Sequence, residues 1–193
     1  STAAICGLCL WLIALAAGLP YRLLISTAVT GLLAATVSLM ANEYQRERIT
    51  AFLNPWADPM GNGYQLLQSL LAIGSGGLLG SGFGFSAQKL DFLPIQYTDF
   101  IFAVFAEEFG FIGSVVFLLM LLAYASLATL VAMRAQYQLQ RLVAVGAMVL
   151  LVGQAFLNIG VAVGALPTTG LPLPLFSYGG SSMISSLAIA ALL

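Results

Sequence analysis

The stretch EFGFIGSVVFLLMLLAYASLATLVA, residues 108–132, decides the fold of this chain. It is an almost unbroken apolar run, and it exceeds the roughly 20 residues with which an α-helix crosses about 30 Å of hydrocarbon. A strand of an outer-membrane barrel would instead show alternating hydrophobicity over segments of about 10 residues. The run therefore predicts a transmembrane helix.

The rest of the chain repeats this pattern. Of its 193 residues, 61% are hydrophobic and only 7% are charged, and the mean hydropathy is +1.02. A soluble domain of this length does not need so apolar a composition for its core. The sequence predicts an all-α, polytopic transmembrane bundle that forms a single domain, residues 1–193. Apolar runs predict about six spans, at 3–19, 23–41, 64–80, 108–132, 143–164 and from 181 to the last residue.

The charged and sulfur-containing side chains limit the chemistry. A net charge of −1 without a basic cluster argues against nucleic acid as a partner. The absence of histidine excludes metal sites built on imidazole and nucleophile pairs of the Ser/His or Cys/His kind. Cys6 and Cys9 lie one helical turn apart in an apolar run, so we interpret them as two small buried hydrophobic residues. Carboxylates must then carry any acid or base chemistry.

The connections between spans differ in charge and composition. The second and fourth connections carry Arg46, Arg48, Arg134 and Arg141. The others carry Arg22 and Lys89, so the positive-inside rule predicts that the NPWADP segment, 54–59, faces the cytoplasm. The two predicted outer loops, about 81–107 and 165–181, are rich in Gly, Pro and aromatic residues. Such composition favours re-entrant backbone, which membranes tolerate where it lines a cavity.

Several charged residues near the first outer loop are candidates for function. Asp99 precedes the apolar run FIFAVF and is either a helix N-cap or a general base at the membrane edge. Glu107 and Glu108 suit the positive end of a helix dipole at the start of the fourth predicted span, and helix pairing or substrate contact is the alternative. Lys89 and Asp91 form either a solvated surface pair or, for Lys89, a contact to a diphosphate.

Glycine and serine patterns add two further hypotheses. Gly76 and Gly80 form a G-x-x-x-G pattern, which is typical of close helix packing. The SYGGSS stretch, 177–182, is either a helix start with serine caps or a set of backbone N–H groups offered to a phosphate.

Five motifs occur together in one order: FLNPWADPMGNGYQLLQS, AIGSGGLLGSGFG, QKLDFLP, TDFIFAVFAEEFGFIG and NIGVAVGALPTTGLPLPLFSYGGSS. Over residues 42–193 the chain resembles the SEDS family, the shape, elongation, division and sporulation proteins typified by FtsW and RodA. Residues 1–41 fit as two generic preceding spans. The resemblance implies a parent of about ten transmembrane helices, of which this fragment holds the last six, and NPWADP is more similar to the division branch.

The resemblance implies a peptidoglycan glycosyltransferase that polymerises lipid II on the outer face of the bacterial cytoplasmic membrane, at the division septum. It implies Asp99, in the T-D-F-I-F motif, as the catalytic residue and Asp91 as a supporting acid. Our hypothesis is that Asp99 is the general base of an inverting reaction. Ile95 and Tyr97 stand where many members carry a second acid and a histidine. The other candidates for support or substrate contact are Lys89, Thr98, Glu107, Glu108, Ser177, Tyr178, Gly179, Gly180 and Ser181.

Cofactors, partners and rival functions follow from the same reading. A divalent cation, Mg²⁺ or Mn²⁺, held by Asp91 or Asp99 is one way to neutralise a leaving diphosphate. The expected partners are lipid II, the nascent glycan strand, a class B penicillin-binding protein with transpeptidase activity, and membrane proteins of the division or elongation machinery. Two other functions stay open: a flippase or transporter of lipid II, and a membrane scaffold that positions a partner enzyme.

Overall fold

A computed structural model describes residues 2–61, 63–84 and 100–192. Every regular element in these ranges is helical, which confirms the all-α prediction. The helices are α1 Thr2–Ala16, α2 Tyr21–Ala41, α3 Glu43–Leu53, α4 Tyr64–Ser75, α5 Ile101–Arg134, α6 Gln138–Met148, α7 Gln154–Ala162 and α8 Gly180–Ala190. A 3₁₀ turn at Pro55–Ala57 follows α3, and a π-helical turn at Val149–Gly153 joins α6 to α7.

Within the described part of the chain, three segments are long and apolar enough to cross a membrane: Tyr21–Ala41, Ile101–Arg134 and Gln138–Ala162. Shorter apolar helices lie at Cys6–Ala16 and Gly180–Ala190. The predicted span at 64–80 differs, because α4 has only 12 residues and ends at Ser75. Gly77 and Gly80, just beyond it, have positive φ angles that an α-helix cannot contain. The prediction, which used hydropathy alone, extended the helix through this glycine-rich segment.

The helix α5 is folded back on itself at Gly110. This residue has φ 67° and ψ −165°, and it separates a first arm, 101–109, from a second arm, 111–134. The rings of Phe102 and Phe117 lie 6.1 Å apart, whereas fifteen residues of straight α-helix would separate their Cα atoms by about 22 Å. The two arms therefore form a hairpin, and only the second arm corresponds to the predicted span at 108–132.

This hairpin corrects the prediction for Glu107 and Glu108. Both residues lie in the last turn of the first arm, and not at the start of a helix. The C-terminal end of a helix carries the negative end of its dipole, so the dipole does not explain two acids there. The run IFAVFA at 101–106, predicted to be loop, is helical because its apolar side chains pack into the core.

The core joins this hairpin to the chain around α7. Phe102 of the first arm packs against Phe117 of the second arm. Phe100, which directly precedes the first arm, and Leu173 from the segment after α7 belong to the same buried cluster. The buried cluster consists of Phe100, Phe102, Ala106, Phe117, Ala155, Ile159, Val161, Ala162 and Leu173. Its aromatic rings give it large buried apolar area, the main stabilising term in any fold.

Contacts along α1 and α2 show the direction in which each helix runs. Arg141, near the start of α6, donates to the Ala16 carbonyl at the end of α1, and Cys9 lies against Gly146 further along α6. The two helices are therefore antiparallel. The helix α2 begins after a short turn at 17–20 and returns beside α1, where Trp11 Nε1 donates to the Leu24 carbonyl at 3.0 Å.

It follows that α2 and α7 end on the same side of the bundle. A hydrogen bond of 2.9 Å from Arg48 Nη1 to the Thr168 carbonyl joins the segments that follow these two helices. We call this side the outer end and the side with residues 17–20 and 135–137 the inner end. The prediction that segment 54–59 and the loop at 165–181 face opposite sides of the membrane is wrong. The prediction treated residues 64–80 as a membrane span. Since they are not one, the prediction counted one membrane crossing too many between segment 54–59 and the loop at 165–181.

The arginines agree with the corrected orientation. The two short connections at the inner end are flanked by Arg22, Arg134 and Arg141. The positive-inside rule counts basic residues close to the ends of the spans, and it favours the inner end by these three arginines against Arg46 and Arg48, which follow α2. All seven acidic residues of the chain lie between positions 43 and 108. We therefore expect the inner end to face the cytoplasm.

The orientation can be tested by labelling single cysteines in the full-length protein, with Cys6→Ser and Cys9→Ala as background. Trp56→Cys, at an exposed position of the outer end, is expected to react with a membrane-impermeant maleimide in intact spheroplasts. Gln136→Cys, exposed at the inner end, serves as the matched control and should react only after permeabilisation. Protection of position 56 in intact spheroplasts would return it to the cytoplasm.

Candidate functional site

The segment 76–82, which we call the glycine clamp, pairs with the bend of the α5 hairpin. It donates to the end of the first arm and accepts from the start of the second. Its bonds are Ser81 N to Glu107 O at 2.9 Å, Gly82 N to Glu108 O at 3.1 Å, Phe111 N to Gly77 O at 2.9 Å and Ile112 N to Leu78 O at 3.2 Å. A helix that breaks leaves backbone groups without intrahelical partners, and the clamp supplies those partners.

Glycine is required where the two backbones meet. A Cβ atom on Gly76 would overlap the carbonyl oxygen of Ala106, and one on Gly80 would overlap that of Glu108. Gly80 and Gly110 also have positive φ angles, which cost other residues about 1–2 kcal/mol. The close packing predicted from the G-x-x-x-G pattern is confirmed, although its partner is a helix bend and Gly80 itself lies beyond the end of α4.

Glu107 and Glu108 are held inside the protein at this bend. Their exposed fractions are 3% and 6%. Besides the bonds from the clamp backbone, the Ser81 hydroxyl donates to the Glu107 carbonyl at 3.0 Å. Two adjacent carboxyl groups in contact with lipid would cost free energy. A bend that is lined by protein is therefore a favourable location for them in a membrane protein.

The segment 163–179 turns back into the bundle after α7. Asn158 Nδ2 donates to the Leu171 carbonyl at 2.7 Å, and Gln154 Nε2, one turn earlier on α7, donates to the Pro172 carbonyl at 2.8 Å. The segment therefore runs antiparallel to α7 and carries Leu173 into the buried core. The re-entrant backbone predicted for this loop is present, and side-chain amides satisfy its carbonyl groups.

The SYGGSS stretch marks the start of α8. The helix begins at Gly180, as one reading predicted, but its N-cap residue is Gly179 and no side chain caps it. The predicted serine caps are therefore absent, because Ser182 donates to the Gly179 carbonyl at 3.0 Å instead. Gly180 and Ser181, in the first turn, are exposed.

Ser177 and Tyr178, also proposed for substrate contact, lie in different surroundings. Ser177 is 2% exposed, and its hydroxyl accepts from the Leu173 backbone N–H at 2.7 Å, which closes the turn before α8. Tyr178 is 83% exposed. Only Tyr178 of these two presents its side chain at the surface.

Phe176 joins the re-entrant segment to the hairpin. Its ring meets Phe105 at 5.9 Å and Phe117 at 5.0 Å, both nearly edge to face. Such pairs are favourable beyond the apolar area that they bury. Phe176 therefore connects the re-entrant segment to both arms of the α5 hairpin.

Four predicted site residues, Lys89, Asp91, Thr98 and Asp99, lie outside the described residues. Their neighbour Phe100 is the N-cap residue of α5 and is 2% exposed in the core. The prediction of Asp99 as an N-cap places it one residue before the cap observed at Phe100.

In the ranges 2–61, 63–84 and 100–192, no three His, Cys, Asp or Glu residues come together as a metal site. The cation predicted at Asp91 or Asp99 concerns residues beyond those ranges, and it stays a prediction.

Three residues that hold the outer end were not singled out from the sequence: Arg48, Gln154 and Asn158. Two of them carried a usable signal. Gln154 and Asn158 are spaced i, i+4 inside an apolar span, so they share one helix face, and polar side chains within a span face protein partners. Arg48 carried no such signal, because it lies in a polar segment where arginine is common.

Comparison with known proteins gives whole-chain matches. The sequence profile of the FtsW, RodA and SpoVE family, described as "Cell cycle protein", matches residues 1–193. A Synechocystis sp. (strain ATCC 27184 / PCC 6803 / Kazusa) protein named "Probable peptidoglycan glycosyltransferase FtsW" is 61% identical over 100% of this chain and 49% of its own length. A Mesostigma viride relative, "Putative peptidoglycan glycosyltransferase FtsW", is 54% identical over 100% of this chain and 46% of its own length. The chain thus spans about half the length of these relatives.

A solved structure has the same fold. It is described as "Structural coordination of polymerization and crosslinking by a peptidoglycan synthase complex". It is similar with a TM-score of 0.73 and 32% identity, over 95% of this chain and 51% of the other. The family match also covers residues 1–41, where the sequence suggested only generic spans.

The glycine clamp gives a direct prediction for stability. Gly80→Ala adds a methyl group against the Glu108 carbonyl at a residue with positive φ, and should destabilise the full-length protein by about 2 kcal/mol or more. Gly74→Ala is the control, since a Cβ there meets nothing within 4 Å and alanine favours the helix by about 0.8–1 kcal/mol. Thermal unfolding in detergent should separate the two variants. Equal midpoints would show that the clamp does not hold the bend.

Proposed function

Because the chain belongs to the FtsW, RodA and SpoVE family, we propose that its full-length protein is a peptidoglycan glycosyltransferase that polymerises lipid II on the outer face of the cytoplasmic membrane. One observation carries this proposal. The hairpin and the re-entrant segment meet in the core around Phe100, one residue after Asp99. The name of the 61% identical relative supports the same reaction.

The proposed substrate explains why the outer end is built from broken helices. Lipid II is a disaccharide-pentapeptide joined through a diphosphate to a polyprenyl chain, so its reacting sugars lie at the depth of the lipid headgroups. An enzyme for it requires polar backbone and side chains at that depth, which are tolerated only where protein surrounds them. The clamp and the segment 163–179 are two non-helical elements of this kind.

In the proposed reaction Asp99 acts as general base. It takes the proton from the 4-hydroxyl of the acceptor sugar, whose oxygen attacks the anomeric carbon of the donor. The bond from that carbon to the diphosphate breaks, the electron pair leaves with the diphosphate, and the configuration is inverted. Lys89 contributes positive charge to the leaving group, and Asp91 supports the loop. A divalent cation held by Asp91 or Asp99 would supply the same neutralisation as a Lewis acid.

In this proposal the hairpin and the second outer segment hold the reacting groups in position. Phe100 anchors the start of the first arm, while buried Glu107 and Glu108 lie at its end, where the clamp holds the bend. Tyr178, Gly180 and Ser181 present exposed groups on the second outer segment for contact with substrate. In this proposal the residues before the hairpin carry out the reaction, and the hairpin holds them in position.

We also propose a partner and a location. The similar solved structure is described as a complex that coordinates polymerization and crosslinking. By analogy, a class B penicillin-binding protein would crosslink the strands that this protein makes. Since the Synechocystis and Mesostigma relatives carry the FtsW name, we propose that the protein belongs to the membrane proteins of the division machinery, at the septum.

Replacement of the proposed base tests the reaction. Asp99→Asn in the full-length protein, purified with its partner and given lipid II, should lower the rate of glycan polymerisation by at least about 100-fold, the usual contribution of a general base. Polymer on a gel is the measurement. Glu43→Gln, an exposed acid at the outer end, is the control and should keep the wild-type rate. Full activity of Asp99→Asn would remove this residue from the chemistry, and a wild type that makes no polymer would favour a flippase or scaffold.

Removal of divalent ions tests the cation. If Asp91 or Asp99 holds Mg²⁺ or Mn²⁺ at the diphosphate, EDTA should stop polymerisation and either ion should restore it. The same gel assay measures both steps, with the Asp99→Asn variant as the baseline for zero activity. An EDTA-resistant wild type would leave the neutralisation of the diphosphate to Lys89.

A further inference from the structure

We propose that Arg48 is a positioning residue for the outer site, because it ties the helix α3 to the re-entrant segment 163–179. Its Nη1 donates to the Thr168 carbonyl at 2.9 Å, across 120 positions of sequence. Both residues are half-buried. The consequence for activity rests on the proposed function, whereas the structural role of this bond does not.

The surroundings of α3 make this bond important. The helix packs mainly against its neighbours in sequence, α2 and the 3₁₀ turn at Pro55–Ala57. Contacts between elements that adjoin in sequence persist whatever the arrangement of the rest of the chain. The bond from Arg48 therefore links the outer segment to an element that is distant in sequence.

The bond also completes the support of the re-entrant segment. Gln154 and Asn158 hold its deeper part from α7, at Pro172 and Leu171. Arg48 holds the part nearer the surface, before Gly170, which has φ 70° and so marks a turn. Support from both sides of this turn restricts the path of the segment more than support from α7 alone.

Arginine suits this position for physical reasons. Hydrogen bonds from a charged donor are shorter and stronger than neutral ones, and the planar guanidinium presents five donors in a fixed arrangement. A lysine would offer one ammonium group on a flexible stem. A neutral side chain of similar length would lose the charge assistance that a half-buried carbonyl receives here.

A displaced segment would affect the proposed catalytic region through Phe176. This residue lies near the end of the segment and packs against Phe105 and Phe117 on the two arms of the hairpin. The hairpin begins with Phe100, next to Asp99. Loss of the Arg48 bond is therefore expected to lower turnover through misplacement of the two walls of the outer site, without contact between Arg48 and the reacting atoms.

The test compares Arg48→Gln and Arg48→Lys with Arg46→Gln in the full-length protein. Arg46 is the matched control, since it lies two residues away on α3 with an exposed side chain. Spin labels at Tyr178→Cys and Leu139→Cys, both exposed, report the distance from the end of the re-entrant segment to α6. Cys6→Ser and Cys9→Ala remove the background.

We expect one narrow distance distribution for the wild type and for Arg46→Gln, and a broadened one for Arg48→Gln. Arg48→Lys should also broaden it, to a smaller extent, and it carries the test if Arg48→Gln does not fold. Lipid II polymerisation should fall at least tenfold in Arg48→Gln and stay within twofold of wild type in Arg46→Gln.

The outcomes separate this proposal from the proposed function. An unchanged distribution in both Arg48 variants, or equal broadening in Arg46→Gln, would overturn the positioning role whatever the activity. A broadened distribution in Arg48→Gln with full polymerisation would keep the tether but overturn its part in the reaction. If the wild type makes no polymer while the Arg48 variants broaden the distribution and Arg46→Gln does not, the positioning role stands and the glycosyltransferase proposal fails.

Discussion

The structure depends on one constraint: backbone N–H and C=O groups at membrane depth must find partners within the protein, because hydrocarbon offers none. An unbroken helix meets this constraint by itself. This chain breaks its helical path twice near the outer end, at Gly110 and after α7, and at each break other parts of the chain supply the missing partners. The arrangement of the outer end follows from the hydrogen bonds that satisfy the backbone at these two breaks.

The two breaks are satisfied by different kinds of hydrogen-bond partner. At the hairpin bend the partners are backbone groups of the clamp, and they come close enough only because Gly76 and Gly80 lack side chains. In the re-entrant segment the partners are the side chains of Gln154, Asn158 and Arg48, which reach across a wider gap. The first arrangement is rigid and intolerant of added atoms, whereas the second depends on which donors are present.

The sequence revealed the helices better than their connectivity. Apolar length is a direct consequence of bilayer thickness, so the spans at 23–41, 108–132 and 143–164 could be predicted. The run 64–80 has the same hydropathy but contains glycines whose φ angles hydropathy does not record, and this error reversed the side assigned to 54–59. Gly76 and Gly80 were recognised because close packing requires small residues. The roles of Glu107, Glu108 and Ser177 were not, since burial at a bend or in a turn depends on long-range contacts that no local pattern encodes.

The position of residues 42–61 and 63–84 at the outer end bears on how the protein is made. The sequence between α2 and α5, residues 42–100, carries five acidic and three basic residues, a net charge of −2. A membrane potential that is negative inside drives negative charge outward, by about 2.3 kcal/mol per charge for each 100 mV. The field that the cell maintains for transport would therefore favour the export of this connection over its retention inside.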